Sequence, residues 1–406
     1  MNSNLDIVSR LDEKRWPATV ARPGEERYSS AERWGELIAE TMRLDPSFYL
    51  FSPDETTSNR LEAAYDVTAR AWARLLREPW DLPEAANGRI VELLSENTLF
   101  ATMVGHNLTG GQGVMASYEA FFTIVASQLN QYLKFLKQKQ SVAWREDTPG
   151  LNLLSTSVCW RQDHNGFSHQ SPAMISLLLS NPCRMANVLL PADDVAATAA
   201  YQYMLDSRNV VNLVTFDKNE LPRWIDRNHA VYQYEQGASV LGFASDAGEP
   251  DYVLVAAGDI ATREVVRAVE ILRAELLERK FRVINIAALS YGAIGTVERP
   301  MSTAQFDEMF TRERPIIACF HGYPGALREI LVNYAHPLRL QVHGFCEEGS
   351  TTTPMEMLRL NHASRYDLCI DVCRREGRED LVEKFMRILQ ENAEYAREYG
   401  VDKIVL

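Results

Sequence analysis

The chain has 406 residues, 46% hydrophobic and 24% charged, a globular composition with room for two or three separately cored domains. A net charge of −13 excludes a nucleic-acid binder, whose phosphate contacts need clustered Lys and Arg, and leaves open a local basic pocket for one anionic metabolite. No apolar stretch approaches the ~18 residues of a membrane span, and the charged amino terminus does not read as a secretory signal, so a cytoplasmic protein is expected.

Residues 1–29, polar and broken by Pro17, Pro23 and Gly24, read as a leader or linker. A helix is expected over Ser30–Leu44, where Trp34, Leu37, Ile38 and Met42 recur at helical spacing. Phe48–Phe51 reads as a strand running into polar Ser52–Arg60, and Arg89–Leu94 as a strand ending at Ser95-Glu96-Asn97. A Gly-rich turn, Leu108–Gly113, precedes a long helix opened by Ser117–Phe122. The apolar run Leu151–Val158 reads as a buried strand, and directly after it comes W-R-Q-D-H-N-G-F-S-H-Q-S-P, Trp160 to Pro172. Helices at Ala173–Leu179 and Ala196–Leu205 alternate with strands at Ala186–Leu190 and Val210–Thr215, which makes 30–230 a parallel α/β domain. Trp224–Glu249 has no clear period and is taken as the boundary. A second domain, 245–406, carries strands at Tyr252–Ala257, Phe281–Ala287, Pro315–Phe320 and Leu338–Val342, a helix Arg263–Arg279 and a closing helix Glu379–Tyr399. The expected fold class is α/β, with two three-layer α/β domains and mostly parallel sheets. G-D-I-A-T, from Gly258, lacks the glycine pattern of a dinucleotide site and the Gly-Lys-Ser/Thr of a P-loop, and reads as an ordinary strand-to-helix turn. Six scattered Cys read as buried, reduced thiols.

The chemistry gathers at strand ends. Asp54-Glu55 with Ser58 and Arg60, then Glu96, then the Trp160 loop with Gln162, His164, Asn165 and His169 each follow a strand. One such cluster by itself reads more readily as a solvated loop; several in one parallel sheet point to a shared crevice. Acids, amides, His and an Arg without a metal-ligand set suit a polyhydroxylated or phosphorylated substrate, or an organic cofactor.

The runs P-D-E-T-T-S-N-R, L-L-S-E, L-T-G-x-x-G-x-x-x-S-Y-E-A-F, W-R-Q-D-H-N-G-F-S-H-Q and E-E-G-S-T-T-T-P, in this order, closely resemble the phosphoketolases, thiamine-diphosphate enzymes related to transketolase. The resemblance runs from about Ser30 to the carboxyl terminus and covers the family's pyrimidine-binding domain and C-terminal domain. It implies that Glu96 hydrogen-bonds the aminopyrimidine ring nitrogen and so promotes proton removal from the thiazolium carbon. Tyr118 and Phe121 match the aromatic wall around the pyrimidine, and Asp54 and Glu55 match acids beside the cofactor. Ser58, Arg60 and His169 match a sugar-phosphate clamp, where a guanidinium fork suits a phosphate dianion. Gln162, Asn165 and Lys218 match groups near the reacting carbon and, with Glu96 and His169, form the implied catalytic set.

The family's G-D-G…N metal motif does not occur in the sequence. No metal ligand is therefore expected on this chain; the resemblance implies a partner subunit bearing the diphosphate and Mg²⁺ domain, in a two-plus-two heterotetramer. The expected function is that of one subunit of a split phosphoketolase- or transketolase-like lyase or transferase. It would cleave a ketose or ketose phosphate and release or transfer a two-carbon unit, as in acetyl phosphate formation. Two alternatives stay open: the same chemistry with a different acceptor in a specialised pathway, and a non-catalytic stabilising or regulatory subunit. The departures bear on the first. Gly111 and Gln112 stand where the family has Arg and His, Asn97 where it has His, and Lys137 or Lys139 is left to replace a phosphate-binding Arg, a poorer fork. His321 and Tyr323, in F-H-G-Y-P, also resemble a family motif and are assigned no catalysis.

Overall fold

The structure is a computed structural model that describes residues 5–53, 55–72, 84–162 and 164–404. Apolar runs without polar alternation make strands that need cover on both faces, and Gly113–Tyr118, Leu151–Thr156 and Val211–Thr215 lie side by side, buried along almost all their length. They sit inside a ten-stranded sheet ordered Ala293–Ile294, Ala288–Ser290, Ala186–Leu189, Val211–Thr215, Leu151–Thr156, Gly113–Tyr118, Tyr49–Ser52, Ile90–Glu92, Arg70–Ala71, Glu84–Ala85. From Ala186–Leu189 onward all neighbours are parallel, and the first two strands are an antiparallel hairpin lent by the second half of the chain. A second, five-stranded sheet is ordered Ala238–Val240, Phe281–Ile286, Tyr252–Ala257, Ile316–Phe320, Leu340–His343, parallel except for its first strand. The fold is α/β with mostly parallel sheets.

Strand alternation sorts the side chains into two cores, one on each face. Leu50, Val114, Leu154 and Val214 face one, and Phe51, Met115, Leu153 and Leu213 the other. Both cores continue through the second sheet, Leu254 and Ala256 joining the first and Val253 and Val255 the second. On the first face Trp34, in the helix Ser30–Leu44, is fully buried edge-on to Tyr201 and Phe216, and its indole N–H donates to the Ala197 carbonyl at 2.8 Å. Three buried asparagines cross the middle of the sheet: Asn187 Nδ2 donates to Asn212 Oδ1 at 3.0 Å, and Asn212 Nδ2 to Asn152 Oδ1 at 2.9 Å. Such amides tolerate burial because each finds a partner.

The helices Ser30–Leu44, Ala173–Leu179 and Glu379–Tyr399 have the limits that periodicity implies. Other expectations need correction. Glu96–Leu108 is a helix where the sequence pattern shows none, because its apolar face is indistinct. Gly113–Tyr118 is a buried strand rather than the tail of a turn, and a tight 3-10 stretch, Glu119–Val125, precedes the helix Ala126–Lys139. The helix after Gly258 starts at Asp259, not Arg263. The stretch Trp224–Glu249, without period in the sequence, holds the helix Arg227–Gln236 and the first strand of the second sheet. Residues 5–29 pack onto the first unit: Ile7 and Trp16 are buried, and Arg27–Ser29 pairs with Glu220–Pro222. All six thiols are free, but only four are buried: Cys346 is exposed and Cys183 partly exposed. Among the described residues no helix is long and apolar enough to cross a membrane.

Candidate active site

Parallel pairing sends the loops after Tyr49–Ser52, Ile90–Glu92, Gly113–Tyr118, Leu151–Thr156 and Val211–Thr215 out of the same edge of the large sheet, where open α/β sheets bind ligands. Glu55, the Trp160 loop and Lys218 stand on those loops, Tyr118 ends its strand and Glu96 opens the helix that follows its own. Asp54 lies outside the described residues.

Tyr118 is the hub. Its ring stacks on Phe121 at 6.0 Å with 9° between planes, His169 stands 5.1 Å from Phe121 in an edge-to-face contact and 6.4 Å from Tyr118, and the Lys218 ammonium lies 5.1 Å over the Tyr118 ring. The Tyr118 hydroxyl donates to Ser58 Oγ at 3.2 Å, and its backbone N–H donates to Glu55 Oε2 at 3.1 Å. Burial pushes the Glu55 carboxyl up from 4.5 to about 7, against the hydrogen bonds from Tyr118 and Asn59, and the charge of Glu96 adds to the rise. Glu96 is the first residue of its helix, behind the N-cap Ser95, whose hydroxyl accepts the Thr98 N–H at 3.3 Å. Among the described residues none hydrogen-bonds the Glu96 carboxylate, which leaves it available beside Glu55.

Other expected residues are held by partners of their own. Arg60 has φ +59 and pairs with Glu32 at the surface, half-exposed. Gln162 is 1% exposed: its side-chain oxygen accepts from Asn165 Nδ2 at 2.7 Å and its carbonyl from Gln170 Nε2 at 2.8 Å. The Gln162–Asn165 pair thus holds the loop in shape, and His169 is the member that meets the aromatic wall. The E-E-G-S-T-T-T-P run packs on this loop, with Gln170 Nε2 also donating to the Ser350 carbonyl at 3.2 Å. Its Thr353 stands at the N-cap of Pro354–Leu360 without capping it; the hydroxyl donates to Asp402 at 2.6 Å instead.

Gly111 and Gln112 are displaced from the site. They precede Gly113 at the opposite edge of the sheet, and a strand of six residues rising about 3.3 Å each puts them about 17 Å or more from Tyr118. A side chain at Gly111 would meet the His106 ring, which fills that space, and Gln112 is buried against the Leu205 carbonyl at 2.8 Å. The change from the family pattern there is a packing change. Lys139 lies at the same far edge, its ammonium on Thr148 and, at 3.3 Å, on Asn209, and does not reach the site.

Beneath the site lie acids that the sequence does not single out and an imidazole, His321, to which it assigns no catalysis. Glu119, next to Tyr118, is buried and bonded to buried His321, and Asp259, buried beside Asp217, is pushed up to about 6 by burial and by that neighbour. S-Y-E-A-F and F-H-G-Y-P carried the signal; only the fold shows that they meet.

Residues 32–207 match the family model described as D-xylulose 5-phosphate/D-fructose 6-phosphate phosphoketolase, and residues 218–405 match the XFP C-terminal domain. A probable phosphoketolase of Rhodopseudomonas palustris (strain TIE-1) is 35% identical over 98% of this chain and 52% of its own length. One from Nitrosospira multiformis is 37% identical over 98% of this chain and 51% of its own. The chain therefore spans about half the length of the curated relatives it matches. Among solved structures, the transketolase from Leishmania mexicana superposes with a TM-score of 0.67 at 14% identity, covering 90% of this chain and 47% of that one. A split gene transketolase, described as an inactive beta4 tetramer, superposes at 0.57 with 17% identity, covering 88% of this chain and 98% of that one. At such identities these structures speak for the fold alone. Two consecutive domain matches and more than a third of residues identical to curated relatives across nearly its whole length place this chain in the phosphoketolase family.

Proposed function

We propose that this chain builds the pyrimidine-binding wall of a thiamine-diphosphate-dependent, phosphoketolase-like site, which a partner chain completes with the diphosphate and Mg²⁺. The observation that carries the reading is the stacked Tyr118–Phe121 pair beside two carboxyl groups, Glu96 without a hydrogen-bond partner among the described residues and Glu55 pushed up to about 7. A flat aromatic wall next to acids at the loop edge of a parallel sheet fits an aminopyrimidine, which offers a ring face and nitrogen atoms at its edge.

When bound, thiamine diphosphate supplies the carbanion chemistry that cleaves a ketose carbon–carbon bond and carries its two-carbon unit. The chain's own part is binding, orientation and proton placement. Glu96 is the group free to hydrogen-bond a ring nitrogen. Glu55 is part protonated near neutral pH, so its carboxyl can donate as well as accept while it holds the Tyr118 backbone in place. Tyr118 and Phe121 exclude water from one face. Ser58, His169 and Lys218 gather around the Tyr118 ring and present a hydroxyl, an imidazole and a cation to a sugar phosphate. Arg60 can join them, because a surface ion pair such as Arg60–Glu32 contributes only about 0–1 kcal/mol and yields to a phosphate dianion.

Two observations support a partner. Leu94 and Phe167, on the loops of the site edge, are 83% and 79% exposed, and apolar side chains so placed suit a covering surface. The chain described as a split gene transketolase superposes on this one over 98% of its own length, so a fold of this extent also occurs in one piece of a split transketolase. The test is calorimetric titration with thiamine diphosphate and Mg²⁺, first of this chain alone and then mixed with a chain bearing the diphosphate domain. Binding and ketose cleavage are expected only in the mixture, and Glu96→Gln is expected to lower cleavage at least about 100-fold, the scale of a lost acid–base group. Tight binding by the isolated chain, or full cleavage by Glu96→Gln, overturns the reading.

A further inference from the structure

The F-H-G-Y-P loop of the second sheet reaches under the site and grips both of its walls. Glu119 follows Tyr118 directly and carries the grip on the first wall. Its Oε1 accepts the His321 Nε2–H at 2.7 Å, and its Oε2 accepts the backbone N–H of Cys159, where the polar loop begins, at 2.7 Å. The His321 backbone carbonyl accepts the indole N–H of Trp160, the next residue of that loop, at 2.8 Å. Glu119 is 2% exposed and His321 1%, and they are 202 residues apart in sequence.

The approach of His321 is built in. Gly258 has φ +111, and a Cβ there would stand 2.8 Å from His321 Cβ, so only glycine lets the two strand ends come together. Immediately beyond, Asp259 Oδ2 accepts the Asp217 N–H at 2.6 Å, and Asp217 receives Arg161 Nη1 at 3.5 Å. The loop carrying Lys218 is thereby tied to the same base. Burial opposes a charge on His321, but the carboxylates of Glu119, Asp259 and Asp217 outweigh it and hold the imidazole above its ordinary pKa.

A metal reading of this cluster is weaker. Glu119, Cys159 and His321 do offer ligand atoms within 4.8 Å of one another. Both carboxylate oxygens are already taken, however, and burial with the Glu119 charge drives the Cys159 thiol well above its ordinary pKa, away from the thiolate a metal needs.

We infer that Glu119 and His321 are positioning residues of the site: the imidazole from the second sheet fixes the carboxylate that aligns the Tyr118–Phe121 wall with the Cys159–Gln170 loop. The contact stands on the geometry alone, whereas its service to a cofactor and a sugar rests on the function proposed above.

Hydrogen exchange of the full chain, read by mass spectrometry over peptides containing Tyr118–Phe121 and Cys159–Gln162, tests it without cofactor or partner. His321→Asn, whose amide stops short of the Nε2 position, is expected to speed exchange in both peptides about tenfold, the factor for one net hydrogen bond lost. His321→Gln, whose amide N–H reaches that position, is expected to stay near the native rate, and His321→Ala to follow His321→Asn. Equal acceleration by the Asn and Gln variants, uniform acceleration throughout the chain, or no change in either peptide overturns the inference. Should His321→Ala fail to fold, the Asn and Gln pair still decides. A latch that behaves as expected in a native complex that binds no thiamine diphosphate sinks the functional reading and leaves the latch standing.

Discussion

Glu55 shows how one residue type acquires a property that its sequence neighbours do not announce. A carboxyl in P-D-E-T-T-S-N-R looks solvated, yet the fold half-buries it beside Tyr118 and near Glu96, and its pKa rises from 4.5 to about 7. The linkage has a definite sign. A raised folded-state pKa means the native state binds the extra proton, so the contribution is full below about pH 4.5 and is lost as pH climbs through about 7. At 1.36 kcal/mol per pKa unit the whole effect is at most about 3 kcal/mol. Glu55→Gln, which keeps an acceptor for the Tyr118 N–H, is therefore expected to gain stability relative to the native chain between about pH 5 and about pH 8. Thermal unfolding of both proteins across that range checks it; a constant difference contradicts the burial account. Glu119 and His321 belong to this scale too, and neither was legible as a site residue, because each depends on a contact 202 positions away.

Elements differ in how much of themselves the chain betrays. Ser30–Leu44 and Glu379–Tyr399 each bury one clear stripe, and spacing alone delimits them. Glu96–Leu108 buries Leu99, Phe100, Met103 and Asn107, a pattern too mixed to stand out in the sequence, and the Ser95 cap marks its start in the structure. Ser95→Ala is expected to cost about 1 kcal/mol, in the range for a lost N-cap, and to loosen the turn that presents Glu96. A urea titration with unchanged slope and a lowered midpoint is the expected record. The asparagine ladder makes a stronger demand. Asn212→Ala removes the acceptor of Asn187 and the donor to Asn152 in a fully buried sheet, and a loss of about 3 kcal/mol is expected in the same titration. A loss below about 1 kcal/mol would show that water takes over the ladder.

For the molecule as a whole, the two sheets share both hydrophobic cores, so the edge that holds the site is braced by the second half of the chain. Leu94 and Phe167 face outward from that edge. Leu94→Ser with Phe167→Ser is expected to leave the melting temperature within about 2 °C of native, as exposed substitutions do. The same pair of changes is expected to weaken association with a chain bearing the diphosphate domain at least about tenfold, the scale of a truncated apolar anchor. Sedimentation of the mixture measures this; unaltered association would move the partner surface elsewhere.

The sequence by itself determined the α/β class, the order of most elements and the family, because hydrophobic period and ordered motifs are local properties. It also named Tyr118, Phe121, His169 and Ser58, which the fold does bring into one cluster. Only the tertiary structure decided that Gln162 and Asn165 bond each other, that Gly111, Gln112 and Lys139 stand at the far edge, and that a histidine of the second sheet underlies the site. Those outcomes turn on which end of a parallel strand a residue occupies and on which loops converge there. Pairing register sets both, and no run of neighbouring residues encodes it.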